Sequence, residues 1–140
     1  MKQQLKKLVH ERAIEKYGEI SDYHKYRIVS ELRKIAEINE EDGVLFMEKL
    51  ISIAKKLNIQ IKVDQEQIKS SFVFYLLGIS QIDPIEAGLR FELPDIGEIR
   101  IEQSAEDIAA IQKEFPDEED VLSFCAFIKD KQESQPTENR

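Results

Sequence analysis

Apolar residues recur at helical spacing from Leu5 to Leu57, and alternate strictly with polar ones in two later stretches. Leu5, Leu8, Val9, Arg12 and Tyr17 fall near one face of a 3.6-residue period, with Ala13 and Ile14 beside them. Gly18 ends this first helix as a glycine able to adopt positive φ. Ser21 or Asp22 caps a second helix that carries Tyr26, Val29, Leu32, Arg33, Ile35 and Ala36 and runs to about Ile38. Asn39 to Gly43 reads as a turn or cap launching a third helix through Val44, Leu45, Phe46, Leu50, Ile51, Ile53, Ala54 and Leu57. Lys55 and Lys56 sit favourably at its negative end. Ile59 to Val63 alternates and predicts a short strand.

From Glu66 to Leu77 the chain has no interior glycine or proline and is at its most apolar, so a largely buried helix is expected, with a strand as its rival. Gly78 ends that element, Asp83-Pro84 marks a turn, a short helix closes at Gly88, and Leu89 to Pro94 is extended. Gly97 to Glu102 alternates as a strand. Ser104 and Asp107 resemble a capping box for a helix with Ile108, Ile111 and Phe115 on one face. Pro116 to Asp120 is a loop, Val121 to Ile128 a central strand, and the polar chain from Lys131 a disordered tail. The expected class is α+β. A right-handed crossover would lay 97–102 and 121–128 side by side in parallel. A small antiparallel arrangement with a third strand is the alternative.

Charge narrows the candidate partners. The 140 residues carry a formal net charge of −8, yet residues 1–62 hold 13 Lys or Arg against 10 Asp or Glu, and residues 63–140 hold 7 against 18. Lys2, Lys6, Lys7, Arg12 and Lys16 form a modest basic patch suited to DNA contact, but glutamates interrupt it, as on any solvated helix. The acidic remainder repels DNA, so a protein partner fits better and DNA binding is expected to be weak. No run approaches the roughly 20 apolar residues of a membrane span, and the charged start is unlike a signal peptide. These features predict a cytoplasmic protein.

Few residues carry recognisable chemistry. Cys125 stands alone, which excludes an intramolecular disulfide and a multi-cysteine metal site. His10 and His24 have no ligand-type neighbours at zinc spacing. Gly18, Gly43, Gly78, Gly88 and Gly97 are singletons, so no phosphate-binding loop can be built from them. Asp95 and Glu98 are the weak candidates for a metal site, three apart where convergence needs a kink at Ile96-Gly97. Asp117 to Asp120 reads as a solvated acidic loop. Tyr23 and Tyr26 are able to stack a base or a partner's side chain, although surface tyrosines need no function. No cofactor is called for.

Taken in order, these segments resemble the catalytic core of the bacterial replicative DNA polymerase III alpha subunit over roughly residues 5–128. The strongest match runs from Phe72 to Pro84 (FVFYLLGISQIDP) and from Ala87 to Glu92 (AGLRFE). The corresponding family stretches read AYLLGIT-x-IDP and YGLLFERF. Gly78, Asp83, Pro84, Gly88 and Phe91 are in register as fold-maintaining positions. Glu11 to Gly18, Arg27 to Ile35, Val44 to Asn58, Leu93 to Ile96 and Val121 to Phe127 are similar to flanking family segments. The resemblance implies one domain over 1–130, with a helical part at 1–92, a small palm-like strand–helix–strand part at 93–130, and a tail at 131–140.

The departures fall on the chemistry. Where the family has a glycine-rich phosphate-handling loop, this chain has Val63 to Ser70, and only Ser71 is carried over at its end. The family's two metal-binding aspartates align with Gly97 and Ile99; Asp95 matches only the preceding aspartate, and Glu98 is out of register. The resemblance therefore implies no enzyme, but a non-catalytic protein-interaction or regulatory module linked to DNA replication, its partner unidentified. The alternatives are a weak DNA-binding accessory protein and a diverged remnant with no replication role. A metal-dependent nucleotidyl transferase or nuclease comes last.

Overall fold

The computed structural model describes residues 2–63, 65–96, 99 and 101–115. Its elements are α1 (Lys2–Tyr17), α2 (Asp22–Glu37), α3 (Glu41–Lys56), β1 (Lys62–Val63), α4 (Gln65–Ile68), α5 (Phe72–Leu76), β2 (Ile101–Glu102) and α6 (Ala105–Gln112). The chain divides into two compact units, Met1–Lys49 with Gln65–Gly97, and Leu50–Asp64 with Glu98–Arg140.

The first unit is organised around α5, whose sequence FVFYL is apolar on nearly every side. Such a helix has no face to offer water, so it takes the middle of the core. It packs against both α1 and α2, and those two helices pack against each other. Leu5, Val9 and Ala13 of α1, Ile28 and Ile35 of α2, and Phe72, Val73 and Phe74 of α5 are all buried.

A buried helix start brings N–H groups that water cannot reach and the helix itself does not pair. Glu31 of α2, fully buried, solves this. Its carboxylate accepts the Phe72 N–H at 2.9 Å, the Val73 N–H at 2.9 Å and the Ser71 hydroxyl at 2.8 Å. Ser71 Oγ in turn accepts the Phe74 N–H at 3.0 Å and caps the helix. Arg27, one turn earlier on α2, donates Nε to Glu31 at 3.1 Å. The remaining donors of Arg27 reach the carbonyls of Ser70 at 2.8 Å and Leu89 at 3.2 Å. Burial pushes the Glu31 carboxyl above its ordinary range, against the opposing pull of the two N–H groups, the hydroxyl and Arg27.

This arrangement explains two departures from the sequence pattern. The single helix expected over Glu66–Leu77 is two helices, α4 and α5, because Ser71 and Glu31 together satisfy a fresh helix start. The buried face of α2 is Arg27, Ile28, Glu31 and Ile35, which leaves Tyr26 at 65% and Val29 at 47% exposed. Val29 belongs to the apolar spacing of this helix, but the paired charges take the inward place.

Three helix ends share one closing device. After α2, α3 and α5 the residues Asn39 (φ 56°), Asn58 (φ 60°) and Gly78 (φ 79°) turn left-handed. At each, the following N–H reaches back to the carbonyl of Ile35, Ala54 or Phe74, respectively. This is the Schellman closure, in which glycine and asparagine bear the positive φ at least cost.

In the second unit Leu50, Ile51, Ala54, Ile99, Ile108, Ile111 and Phe115 are buried. Ser104 Oγ caps α6 by accepting the Asp107 N–H at 3.2 Å, while Asp107 Oδ2 accepts from Gln103 Nε2 at 3.1 Å. β1 and β2 form an antiparallel ladder that pairs Lys62 with Glu102 and Val63 with Ile101.

The α+β class with a palm-like strand–helix–strand region is corrected by this architecture. The regular structure of the described residues is almost entirely helical, and extended pairing among them is confined to two residues on each side. The alternation of Ile59–Val63 and Gly97–Glu102 is a real pattern, but a ladder this short, with no third strand among the described residues, does not build a sheet layer. The expected strand at 121–128, Cys125, the acidic loop at 116–120 and the tail from Lys131 lie outside the described residues.

Two measurements test this packing. Glu31→Ala leaves Arg27 and two buried N–H groups without their acceptor, and is expected to cost about 3–5 kcal/mol in urea unfolding, with Glu31→Gln falling between it and the wild type. Burial of the Tyr17 phenol, followed by the charge of Asp83, raises its pKa from 10.0 to about 12. The neutral phenol therefore contributes stability that is fully present below pH 10 and is lost as pH rises through about 12. Spectrophotometric titration of Tyr17→Phe should lack the tyrosine component that ionises in that upper range.

Candidate functional site

One face of α2 is solvent-facing and unusual in composition. Tyr23, Tyr26, Ser30 and Lys34 lie along it and, together with the buried Arg27, form one wall of a groove of about 470 Å³. The opposite wall is the segment after the Asp83-Pro84 turn, contributing Ile85, Gly88, Leu89, Arg90 and Phe91. Its lining thus holds three aromatic and three cationic side chains and no carboxylate, in a chain of net charge −8.

Local sequence builds that second wall. Asp83 Oδ1 accepts the Ile85 N–H at 2.9 Å, and Leu89 N–H closes on the Pro84 carbonyl at 2.7 Å. Gly88 turns left-handed at φ 72°, where a side chain would be strained. Beyond the turn, the chain is pinned twice: Arg27 holds the Leu89 carbonyl, and Ser70 Oγ accepts the Glu92 N–H at 3.0 Å while lying 3.1 Å from the Glu92 carbonyl. The groove is therefore held open by the network that secures α5.

Its side chains suit planar, anionic ligands. The rings of Tyr23 and Tyr26 lie 6.1 Å apart at 32°, and both residues are more than half exposed. Lys34 Nζ stands 5.8 Å from the Phe91 ring centroid. Arg27 is committed to Glu31 and two carbonyls, which leaves Lys34 and the exposed Arg90 as the cations for incoming anionic groups.

The basic residues Lys2, Lys6, Lys7, Arg12 and Lys16 all lie on α1. Arg12 pairs with Glu48 and reaches the Leu77 carbonyl at 3.5 Å. Lys16 lies over the Tyr75 ring at 4.8 Å. Lys6 and Lys7 are exposed, and the Lys2 side chain is outside the described set. Asp95 is exposed and Glu98 lies outside the described residues. Among the described residues, no three of His, Cys, Asp and Glu are grouped to hold a metal. Gly78 and Gly88 take positive φ, Asp83 and Pro84 form the turn between them, and Phe91 lines the groove.

Tyr23 and Tyr26 were visible as a stacking pair in the sequence, but Ser30, Lys34 and Arg90 were not singled out. The i, i+4, i+7, i+11 spacing of Tyr23, Arg27, Ser30 and Lys34 was the available signal. Arg90 had none, because only the turn at 83–88 brings it opposite α2. No helix among the described residues is long and apolar enough to cross a membrane.

Comparison with known proteins agrees with the resemblance carried by residues 72–92. The family model described as the bacterial DNA polymerase III alpha NTPase domain matches residues 3–136. The DNA polymerase III subunit alpha of Thermotoga maritima is 34% identical over a match 68 residues long that covers 46% of this chain and 8% of that protein. The chain thus spans a small part of that relative's length.

Proposed function

The chain belongs to the bacterial DNA polymerase III alpha family, and from that premise we propose that it is a non-catalytic binding module of DNA replication that holds single-stranded DNA in the groove between α2 and residues 85–91. The observation that carries this reading is the lining itself: aromatic and cationic residues together, with every carboxylate excluded. Single strands are bound by that combination, bases stacking on aromatic rings while cations follow the phosphates. The non-catalytic part rests on the sequence, where Val63 to Ser70 replaces the family's phosphate-handling loop and Gly97 and Ile99 replace its metal-binding aspartates.

Magnitudes place the affinity low. Two available cations correspond to a salt slope near −1.4, since each neutralised phosphate of a single strand contributes roughly −0.7. The overall acidity of the chain opposes approach at long range. A protein-interaction or regulatory role is the second reading, favoured by the exposed apolar side chains Ile14, Val29 and Ile38.

Fluorescence anisotropy of labelled oligo-dT, with a duplex of equal length as control, tests the first reading. Saturable single-strand binding is expected, weakening about sevenfold between 50 and 200 mM salt. Tyr26→Ala should weaken it about tenfold, and Lys34→Ala should flatten the salt dependence. Absence of saturable binding at 50 mM salt, or binding indifferent to Tyr26→Ala, would overturn it.

A further inference from the structure

A second groove in the first unit, of about 240 Å³, lies where α1 and α2 meet and is lined chiefly by apolar side chains. Leu5, Val29, Leu32 and Ala36 supply those surfaces, and Val29 is 47% exposed at its mouth. Among them lies Glu41, 7% exposed, whose Oε2 atom is buried and has no hydrogen-bond partner. A buried acceptor left unpaired is costly and is normally paired by protein or water. At about 30 Å³ per water the groove has room for several. An occupant that places a donor on Glu41 while covering the apolar lining gains on both counts.

The charges nearby select the donor. Lys6 and Arg33 also line this groove, so a lysine or arginine brought to Glu41 would meet cations around the opening. A neutral donor on an apolar body avoids that repulsion, and a tyrosine has this form, its ring matching the lining and its O–H reaching the carboxylate. The same basic residues favour acidic groups on either side of it. We infer that the α1–α2 groove receives a tyrosine from an acidic segment of a partner protein, with the phenol donating its hydrogen bond to Glu41. This inference deepens the protein-binding reading given above and rests on it. It is independent of the aromatic groove on the other side of α2, whose DNA titration can fail or succeed separately.

The test is a selection followed by a measurement. Random peptides displayed on phage are selected on the wild-type protein and depleted on Val29→Glu, which sets a charge at an exposed position of the groove mouth and so spares the core. Peptides that survive are expected to share a tyrosine among aspartates or glutamates. Synthetic forms of the best peptide, read by fluorescence polarisation, should lose about tenfold on replacing the tyrosine with phenylalanine. Glu41→Met should bind the two forms equally, and its thermal midpoint verifies that it folds. Tyrosine and phenylalanine forms that bind wild type alike would overturn the inference, as would surviving peptides centred on lysine or arginine. Self-association through this face, seen as a dimer that Val29→Glu abolishes in sedimentation velocity, would also overturn it. Selected peptides that bind Val29→Glu unchanged, with none lost in the depletion, would remove this groove while keeping the protein-binding reading.

Discussion

A single carboxylate, buried beneath the start of a five-residue helix, sets the terms for the first unit. α5 is too apolar to lie anywhere but the interior, and its first N–H groups arrive there with it. Glu31 accepts two of them and Ser71 the third. A buried charge then needs an opposite charge, and the i, i+4 position of Arg27 on the same helix brings one within 3.0 Å. The other guanidinium donors cannot be left idle in the interior either, and they fasten the carbonyls of Ser70 and Leu89. One requirement propagates from the core to the wall of the aromatic groove. A buried ion pair gains little over well-packed hydrocarbon, whereas losing one partner costs several kcal/mol. The pair therefore specifies more than it stabilises: it decides which end of α5 meets α2 and where residues 89–92 run.

That same network marks the limit of what the chain discloses by pattern alone. α1 and α2 were legible because apolar spacing, the Gly18 stop and the Ser21 cap point the same way, and α3 was legible by its apolar spacing although it begins at Glu41, inside the expected turn. Ser104 capping α6 was legible for the same local reason. The break between α4 and α5 was not, since its acceptor lies forty residues earlier, on another helix. The exposure of Val29 was not legible, because hydrophobicity is a proxy for burial and fails where a salt bridge occupies the interior. Alternation misled in the opposite direction: Ile59–Val63 and Gly97–Glu102 have the period of strands, but pairing needs a partner of matching length, and the ladder stops after two residues.

The grooves follow the same division. Tyrosines near a helix start can be noticed in a sequence, yet their meaning depends on what faces them. Lys34 sits eight residues beyond Tyr26 on the helix, and Arg90 arrives from beyond a turn. The absence of carboxylates in their company is a property of three dimensions. Glu41 was less accessible still, because nothing in the run Glu40-Glu41-Asp42 tells which acid is buried. Only packing against α1 and α2 separates it from its neighbours.

The residues that carry the family resemblance have backbone work to do here. Gly78 closes α5 in a left-handed turn, Asp83 and Pro84 shape the next one, and Gly88 reverses the chain. None of these roles involves a nucleotide or a metal, so each persists whatever the site does. Ser70 and Ser71 stand just before α5, where Ser70 holds Glu92 and Ser71 caps the helix. The solvent face of α2 is under no such obligation. Tyr23, Tyr26 and Lys34 take no part in the buried network, so binding chemistry on that face can change while Glu31 and Arg27 keep the frame beneath it constant.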